Sequence, residues 1–381
     1  MSDLKVFGSP SRYVQGKNAL ASLGEYLAHL GKNPILLADD TVWGIVGKTV
    51  TDSLEKAGLP VKRVRFIKFA TPESVDELSE EIKKGGHDVV AGIGGGSTID
   101  VAKAAGVATD IYFASVPTAA SSDAPTSALS LIYNDHGEFL EYRFLPRNPD
   151  LVLIDTQVVA NAPIRFLRGG IGDALATWIE ARAVGRGTGV TMMGGRPTRS
   201  AQALAKLCWD TIHENAFLAL DAVKAHTVTP ALDAEVEANT LLSGLGFESS
   251  GLAAAHAIHD GLTQAPQTHG LIHGEKVTIG TLTQLIMEAA PEKEIEDFIV
   301  FTTKVGLPNT LTEIGLTRDN EKELRGICTA ATAENETIHA MPFPVDAQLV
   351  YESLVAIEDV SRRVRAEHGL PEPVFYKAPE A

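Results

Sequence analysis

The sequence predicts two domains: an α/β domain built on a mostly parallel sheet, then a domain that is almost all helix. Three observations carry this. Short β-rich runs alternate with helical patterns through residues 1–162, as βαβ units require. After Pro163 the β-rich runs nearly vanish. One strand also runs into consecutive glycines that open a helix, a junction typical of parallel sheets that bind nucleotides. The length of 381 residues suits two or three domains, and the boundary is placed between residues 162 and 163.

The elements follow in order. Residues 34–40 (PILLADD) read as a buried strand ending in two acids. Residues 64–69, 88–94 and 111–116 read as further strands, the last stopped by Pro117. Residues 128–133 and 138–144 flank Asn134-Asp135-His136-Gly137, a strong hairpin turn, and residues 151–155 (LVLID) close the series. Helical patterns at 74–84 and 98–107 separate the earlier strands. Beyond the boundary, residues 173–183, 200–220, 231–245, 251–262, 274–289, 292–305 and 349–367 all read as helices. The tail, residues 369–381, reads as loosely held.

Composition narrows the function. Hydrophobic residues are 44% and charged residues 22%, a globular mixture. Lys+Arg 33 against Asp+Glu 49 gives a net charge of −16. That argues against nucleic acid or an anionic membrane as the main partner. Cys208 and Cys328 form no CxxC pair and no disulfide framework, which fits a reducing, cytoplasmic setting. The opening Met1-Ser2-Asp3-Leu4-Lys5-Val6 has no basic stretch followed by an apolar core, so no signal peptide is expected. No apolar run approaches the ~18–20 residues of a membrane helix.

The sharpest local signal is Gly92-Ile93-Gly94-Gly95-Gly96-Ser97-Thr98-Ile99-Asp100-Val101-Ala102-Lys103. Glycines without β-carbons let backbone N–H groups approach an anion, and the helix start adds partial positive charge. Ser97 to Asp100 has the form of a capping box with Asp in the last place. The run departs from G-x-G-x-x-G, whose third glycine would fall on Ser97. The best acid for ribose hydroxyls, Asp39, precedes the loop at a strand end, where it would also repel a 2′-phosphate. The plain alternative for Asp39 is an exposed strand-end acid. For Asp100 and Lys103 the favoured readings are a cap and a solvated helix charge.

Histidine is the second signal. His256 lies in an apolar, Ala-rich helix (GLAAAHAIHDGL), so its imidazole needs a buried partner, and a metal is one. His273 stands just before another helix, and Asp173 opens a helix after Gly169-Gly170-Ile171-Gly172. One carboxylate and two imidazoles suit catalytic zinc and also ferrous iron. The spacing is no short motif. An N-cap role for Asp173 and a satisfied core histidine at 256 stay open, and spacing does not exclude His259 or His269. A third segment, residues 116–129, follows a strand and is crowded with small hydroxyl residues around Asp123, which could accept hydrogen bonds from substrate hydroxyls.

Long blocks carry a resemblance: residues 94–103, 117–133, 169–182 (GGIGDALATWIEAR), 247–262 (FESSGLAAAHAIHDGL) and 273–285 (HGEKVTIGTLTQL). They resemble the glycerol dehydrogenases, within the metal-dependent, so-called iron-containing alcohol dehydrogenase superfamily related to dehydroquinate synthase. The likeness runs from Ser9 to about Asp359. It implies a dehydroquinate synthase-like fold, with a Rossmann-like NAD-binding domain (1–162) and a helical metal-binding, catalytic domain (163–381), the active site between them. It implies oxidation of glycerol to dihydroxyacetone, and of related vicinal diols, with NAD at a catalytic zinc. Zinc is implied on Asp173, His256 and His273. NAD is implied along Asp39, Gly94, Gly95, Gly96, Ser97, Thr98, Thr118, Ala119, Ala120, Ser121, Ser127, Leu129 and Tyr133, and a glycerol contact at Asp123. A homo-oligomer is implied as well, with an octamer among the family's assemblies.

Three positions depart from the family pattern. Ser97 stands where the family commonly has Lys, removing a cation from the glycine loop. Gly270 stands where a second, non-ligating His is frequent. Thr177 stands where iron-using branches place a further His, which favours three-ligand zinc. A phosphate-substrate lyase resembling dehydroquinate synthase is the main rival. It would need Lys or Arg beside the metal, and residues 250–275 contain none.

Overall fold

The computed structural model describes residues 4–67 and 69–376. Its strands are β1 (Tyr13–Gly16), β2 (Pro34–Ala38), β3 (Arg63–Arg65), β4 (Val89–Gly94), β5 (Tyr112–Pro117), β6 (Leu129–Tyr133), β7 (Phe139–Phe144) and β8 (Leu151–Asp155). Its helices are α1 (Leu23–Ala28), α2 (Asp40–Lys56), α3 (Pro72–Gly85), α4 (Gly96–Ala108), α5 (Thr156–Asn161), α6 (Ile164–Arg186), α7 (Arg199–Lys224), α8 (Pro230–Glu237), α9 (Ser243–Ser250), α10 (Ala254–Leu262), α11 (His273–Met287), α12 (Glu292–Val305), α13 (Glu321–Ala331) and α14 (Ala347–Glu367). A π-helical turn, Ala238–Leu242, joins α8 to α9.

The expected parallel sheet is present. Six strands pair in the order β1-β8-β5-β4-β2-β3, every pair parallel. Both faces are covered, so β2, β4 and β8 are buried along their whole length. Alternate residues feed two separate cores. Leu36, Ala91 and Ile93 pack with Leu23, Val50 and Leu54 on one side. Ile35, Leu37 and Val90 pack with Leu78, Val101 and Ala105 on the other. The register sets Gly94 opposite Pro117 and Leu37 opposite Gly92. The segments after β2, β4 and β5 therefore leave one edge of the sheet side by side, the place where such sheets bind ligands. β6 and β7 form the expected hairpin. Asn134 Oδ1 accepts from the N–H groups of His136 and Glu138 (both 3.0 Å), and Gly137 takes a positive φ of 82°.

Packing divides the described chain into two compact units. One contains residues 8–167 and 214–245; the other contains residues 4–7, 168–213 and 246–376. A single cut between 162 and 163 does not describe this. The first division falls inside α6, and residues 214–245 return to the sheet. There Gln15 of β1 donates from Nε2 to the Asp233 carbonyl (2.8 Å), and Tyr13 Oη lies 2.9 Å from Thr240 Oγ1. A proline marks where the composition changes, but it cannot announce a helical segment that comes back to its first neighbour.

Among the described elements β1, α1, α2, α5 and α13 were not anticipated. β1 (YVQG) is a four-residue, half-buried edge strand with no alternation to detect. α6 also starts well before residue 173, so Gly169, Gly170 and Gly172 lie within a helix. The strand expected at 64–69 is shorter, Arg63–Arg65, and its residue Lys68 lies outside the described residues. So do Met1, Ser2 and Asp3 and residues 377–381 of the tail; Tyr376, just before them, donates its N–H to the Glu313 carbonyl (2.8 Å).

Candidate nucleotide loop and metal centre

The nucleotide side is made of backbone. β4 ends at Gly94, whose φ of 154° suits only glycine, and a β-carbon there would lie 2.9 Å from Thr98 Oγ1. Gly95 is the N-cap of α4 and offers no side chain to the first-turn N–H groups. A β-carbon on Gly95 would meet nothing within 4 Å, and one on Gly96 would meet only Ser122 Oγ at 3.6 Å and Ala124 at 3.8 Å. Open space over uncapped donors at the start of a 13-residue helix fits a phosphate group. The helix begins at Gly96 with Gly95 as its N-cap, so the capping-box reading of Ser97 to Asp100 fails. Asp39 is the N-cap of α2, its Oδ1 accepting from Val42 N–H (2.8 Å), and is half-buried rather than exposed.

Asp100 and Lys103 overturn their reading as cap and solvated charge. Both are buried, with Nζ 3.0 Å from Asp100 Oδ1. Lys103 also donates to the carbonyls of Ala124 (2.7 Å), Ser127 (3.4 Å) and Leu129. A buried ammonium thus braces the segment that carries Ser127 and Leu129. Its other side is fastened to the turn between α8 and α9. Thr126 Oγ1 donates to the Thr240 carbonyl (3.0 Å) and Asn239 Nδ2 to that of Ala120 (3.3 Å). Ser243 Oγ donates to Asp123 Oδ2 (2.7 Å). Gly244 permits this contact, because a β-carbon would lie 1.8 Å from Thr126 Oγ1. Asp123 is therefore a buried, oriented acceptor. Thr118, whose N–H donates to Gly94 (3.2 Å), Ala119, Ser121 and Tyr133 are half-buried; Ala120, Ser127 and Leu129 are buried.

The metal side is made of side chains. Asp173 lies mid-helix in α6, so it is not an N-cap. His256 is in α10, and His273 opens α11. Glycines bring these helices together. A β-carbon on Gly172 would lie 2.5 Å from the Gly274 carbonyl, one on Gly274 1.8 Å from that of Gly169, and one on Gly280 2.1 Å from that of Ala255. Asp173 Oδ1 then sits 3.3 Å from His256 Nε2 and 3.1 Å from His273 Nε2. One donor atom from each residue lies within 4.8 Å of the others. A carboxylate oxygen and two imidazole nitrogens suit zinc or ferrous iron. Thr177 is buried against Gly246, whose β-carbon would lie 2.6 Å from its methyl.

The outer faces of both imidazoles are occupied. Glu180 lies two turns after Asp173 on α6. Its Oε2 is 2.6 Å from His256 Nδ1, while Oε1 accepts the N–H groups of Ala253 (2.8 Å) and His256 (3.0 Å). His259, which spacing left beside His269 as an alternative ligand, is buried with Nε2 2.9 Å from His273 Nδ1. Its own Nδ1 is 2.8 Å from Asp260 Oδ1. His269 is exposed and turned to the Thr263 carbonyl (3.0 Å). Burial opposes charge on Asp173, yet His273 and His256 outweigh it and hold the carboxyl well below its usual range. Burial also opposes charge on His256, but Glu180 and Asp173 reverse this and raise it. Burial, then His273 and Lys276, push His259 well below its ordinary value. Glu180, His259 with Asp260, Lys103 and Ser243 were all missed as working residues. The seven-residue step from Asp173 to Glu180, one helix face, was a usable signal.

Residues 10–156 match the model of the family described as iron-containing alcohol dehydrogenase. A glycolaldehyde reductase of Halobacterium salinarum is 48% identical over 360 residues, covering 94% of this chain and 99% of that protein. A glycerol dehydrogenase of Escherichia coli is 46% identical over 363 residues, covering 95% and 99%. The crystal structure of glycerol dehydrogenase from Schizosaccharomyces pombe superposes with a TM-score of 0.95 at 37% identity, covering 99% of this chain and 96% of that one.

Proposed function

Because the chain belongs to the iron-containing alcohol dehydrogenase family, we propose that it oxidises glycerol to dihydroxyacetone with NAD, at a zinc ion held by Asp173, His256 and His273. It is an oxidoreductase with relatives named glycerol dehydrogenase across nearly the whole chain. The observation that carries the reading is the convergence of Asp173, His256 and His273 within 4.8 Å. Family membership implies NAD and a metal. Thr177 in place of a fourth ligand supports zinc over iron. Among the described residues no helix is long and apolar enough to cross a membrane.

A bound metal supplies Lewis acidity that lowers the pKa of a substrate hydroxyl, and NAD supplies the hydride acceptor. The chain does the rest. Asp173 and His256, both buried, and the partly exposed His273 offer one anionic oxygen and two imidazole nitrogens. Asp123, oriented by Ser243, accepts a hydrogen bond from a further substrate hydroxyl. Gly94 to Thr98 and the Thr118 to Ser121 segment seat the dinucleotide. Over the reaction glycerol loses hydride from the central carbon and a proton from its hydroxyl, giving dihydroxyacetone, NADH and H⁺.

The 48% identity to a glycolaldehyde reductase favours a second reading, reduction of a small hydroxy-aldehyde in the opposite direction. A substrate panel decides between them. Glycerol and 1,2-propanediol should be oxidised well and 1-propanol poorly, because a site built to pair hydroxyls rejects an analogue lacking them, by up to ~10⁴-fold. Asp123→Ala should hurt glycerol more than 1,2-propanediol, which lacks the third hydroxyl. Equal efficiency on 1-propanol and glycerol would remove the polyol assignment. Turnover of glycolaldehyde with NADH far above that of either diol would establish the second reading.

A further inference from the structure

The three proposed metal donors leave unexplained why so much polar machinery is buried behind them. An ionised carboxylate can only accept, so in the neutral imidazole that binds a metal Glu180 Oε2, 2.6 Å from His256 Nδ1, places the proton on Nδ1. That leaves the His256 lone pair on Nε2, the atom facing Asp173. The second imidazole reaches the same state by a longer route. Asp260 Oδ1 takes the proton of His259 Nδ1, which leaves His259 Nε2 as an acceptor. His273 must then donate from Nδ1, and its lone pair also falls on the Nε2 that faces Asp173.

Resting on the metal reading above, we propose that Glu180 and the Asp260–His259 pair are positioning residues that lock His256 and His273 in the only tautomer able to bind metal through Nε2. Their anchoring differs. Glu180 also accepts two backbone N–H groups at the start of α10, so one carboxylate fixes the helix that carries His256 and its ring together. His273 is held through an intermediary ring and is the more exposed of the two, with a side-chain accessibility of 24% against 8%. The His256 lock is therefore the stiffer.

Zinc titration of metal-free protein against a chromophoric chelator tests this without turnover. In Glu180→Gln the amide oxygen can still accept the backbone N–H groups of α10. Its NH₂ group, however, faces His256 Nδ1 and drives the proton to Nε2. Zinc affinity should fall by ~10–100-fold, the usual cost of losing such a partner, with the thermal midpoint of the metal-free protein little changed. His259→Leu should weaken zinc by a similar or smaller factor. His259→Gln, whose amide oxygen restores an acceptor near the lost Nε2, should recover most of the loss. Wild-type zinc affinity in both Glu180→Gln and His259→Leu would overturn the proposal, as would equal affinities in His259→Leu and His259→Gln. Wild-type affinity in His256→Ala would instead overturn the metal site itself.

Discussion

The glycine loop and the proposed metal centre would each hold a ligand in place, with opposite materials. The loop is built from main chain. Gly94, Gly95 and Gly96 contribute by what they lack, and the donors are N–H groups that every residue carries. The centre is built from side chains of three helices, each correct only in one protonation state and one ring orientation. A backbone site fails when something is added to it; a side-chain site fails when anything is taken away. Substitutions on the two sides should separate accordingly.

The largest effect is expected on the side-chain site. His256→Ala removes one of three donors and leaves Glu180 and Asp173 buried without their shared partner. Losing Lewis-acid assistance costs several kcal/mol of transition-state stabilisation, so turnover should fall by about a thousandfold or more. NAD binding, followed by quenching of protein fluorescence, should stay within a few-fold of wild type. Loss of NAD binding in parallel would mean that the two sites are not built independently.

Next comes the brace behind the loop. Lys103→Met leaves Asp100 buried with its cation gone, a change that typically costs about 3–5 kcal/mol. It also releases the carbonyls of Ala124, Ser127 and Leu129. Chemical denaturation should show the loss, and KM for NAD should rise more than kcat falls. The Asp100→Asn/Lys103→Met double variant should recover part of the stability but not the KM, because the carbonyls still lack their donor. If KM stays at the wild-type value in a folded Lys103→Met protein, the brace is structural only.

A smaller effect tests Asp39. Glycine is almost as good an N-cap as aspartate, costing a few tenths of a kcal/mol, so Asp39→Gly isolates the cofactor role. Arg63 donates to the neighbouring Ala38 carbonyl (3.0 Å) and pairs with Asp40 (2.6 Å), and Arg65 pairs with Asp40 (2.8 Å). With the Asp39 charge removed, these cations should favour a 2′-phosphate, and the NAD preference should narrow or reverse. An unchanged ratio of kcat/KM for NAD and NADP would sink the assignment.

Legibility followed the same division of materials. A backbone site declares itself, because few residues other than glycine meet its demands, so strand, loop and helix start could be read at 88–107. The three proposed metal donors could be joined as one set only from long blocks of resemblance, since they come from three helices far apart in the chain. Of their partners, Glu180 could be read only as sharing a helix face with Asp173, and His259 gave no such signal. What makes them partners is the close approach of α6, α10 and α11 at Gly172, Gly274 and Gly280, a distance rather than a pattern. Lys103 was misread for want of context. Thr98 to Gly106 are all buried, so α4 has no solvated face. The clue was that Asp100 and Lys103 are the only charges in an otherwise Ala-, Gly- and Val-rich helix.

The smallest effect concerns pH and the far side of the Asp260–His259 pair. Burial, then the charge of Asp260, push the Glu336 carboxyl from about 4.5 up to about 8, against a weaker opposing hydrogen bond from Thr337. Between those two values the folded protein holds a proton on Glu336 that the unfolded chain has released. Stability from this group is therefore full below about pH 4.5 and is lost as pH rises through about 8. Glu336 is only half-buried, so solvent screening reduces the effect. Glu336→Gln keeps a neutral side chain at every pH. Its thermal midpoint should match wild type near pH 5 and exceed it by about 2 °C near pH 9, on a scale of roughly 2–4 °C per kcal/mol for domains of this size. Parallel melting curves for the two proteins across that range would show that Glu336 does not carry its proton in the folded state. The negative charge behind His259 would then come from two carboxylates rather than one.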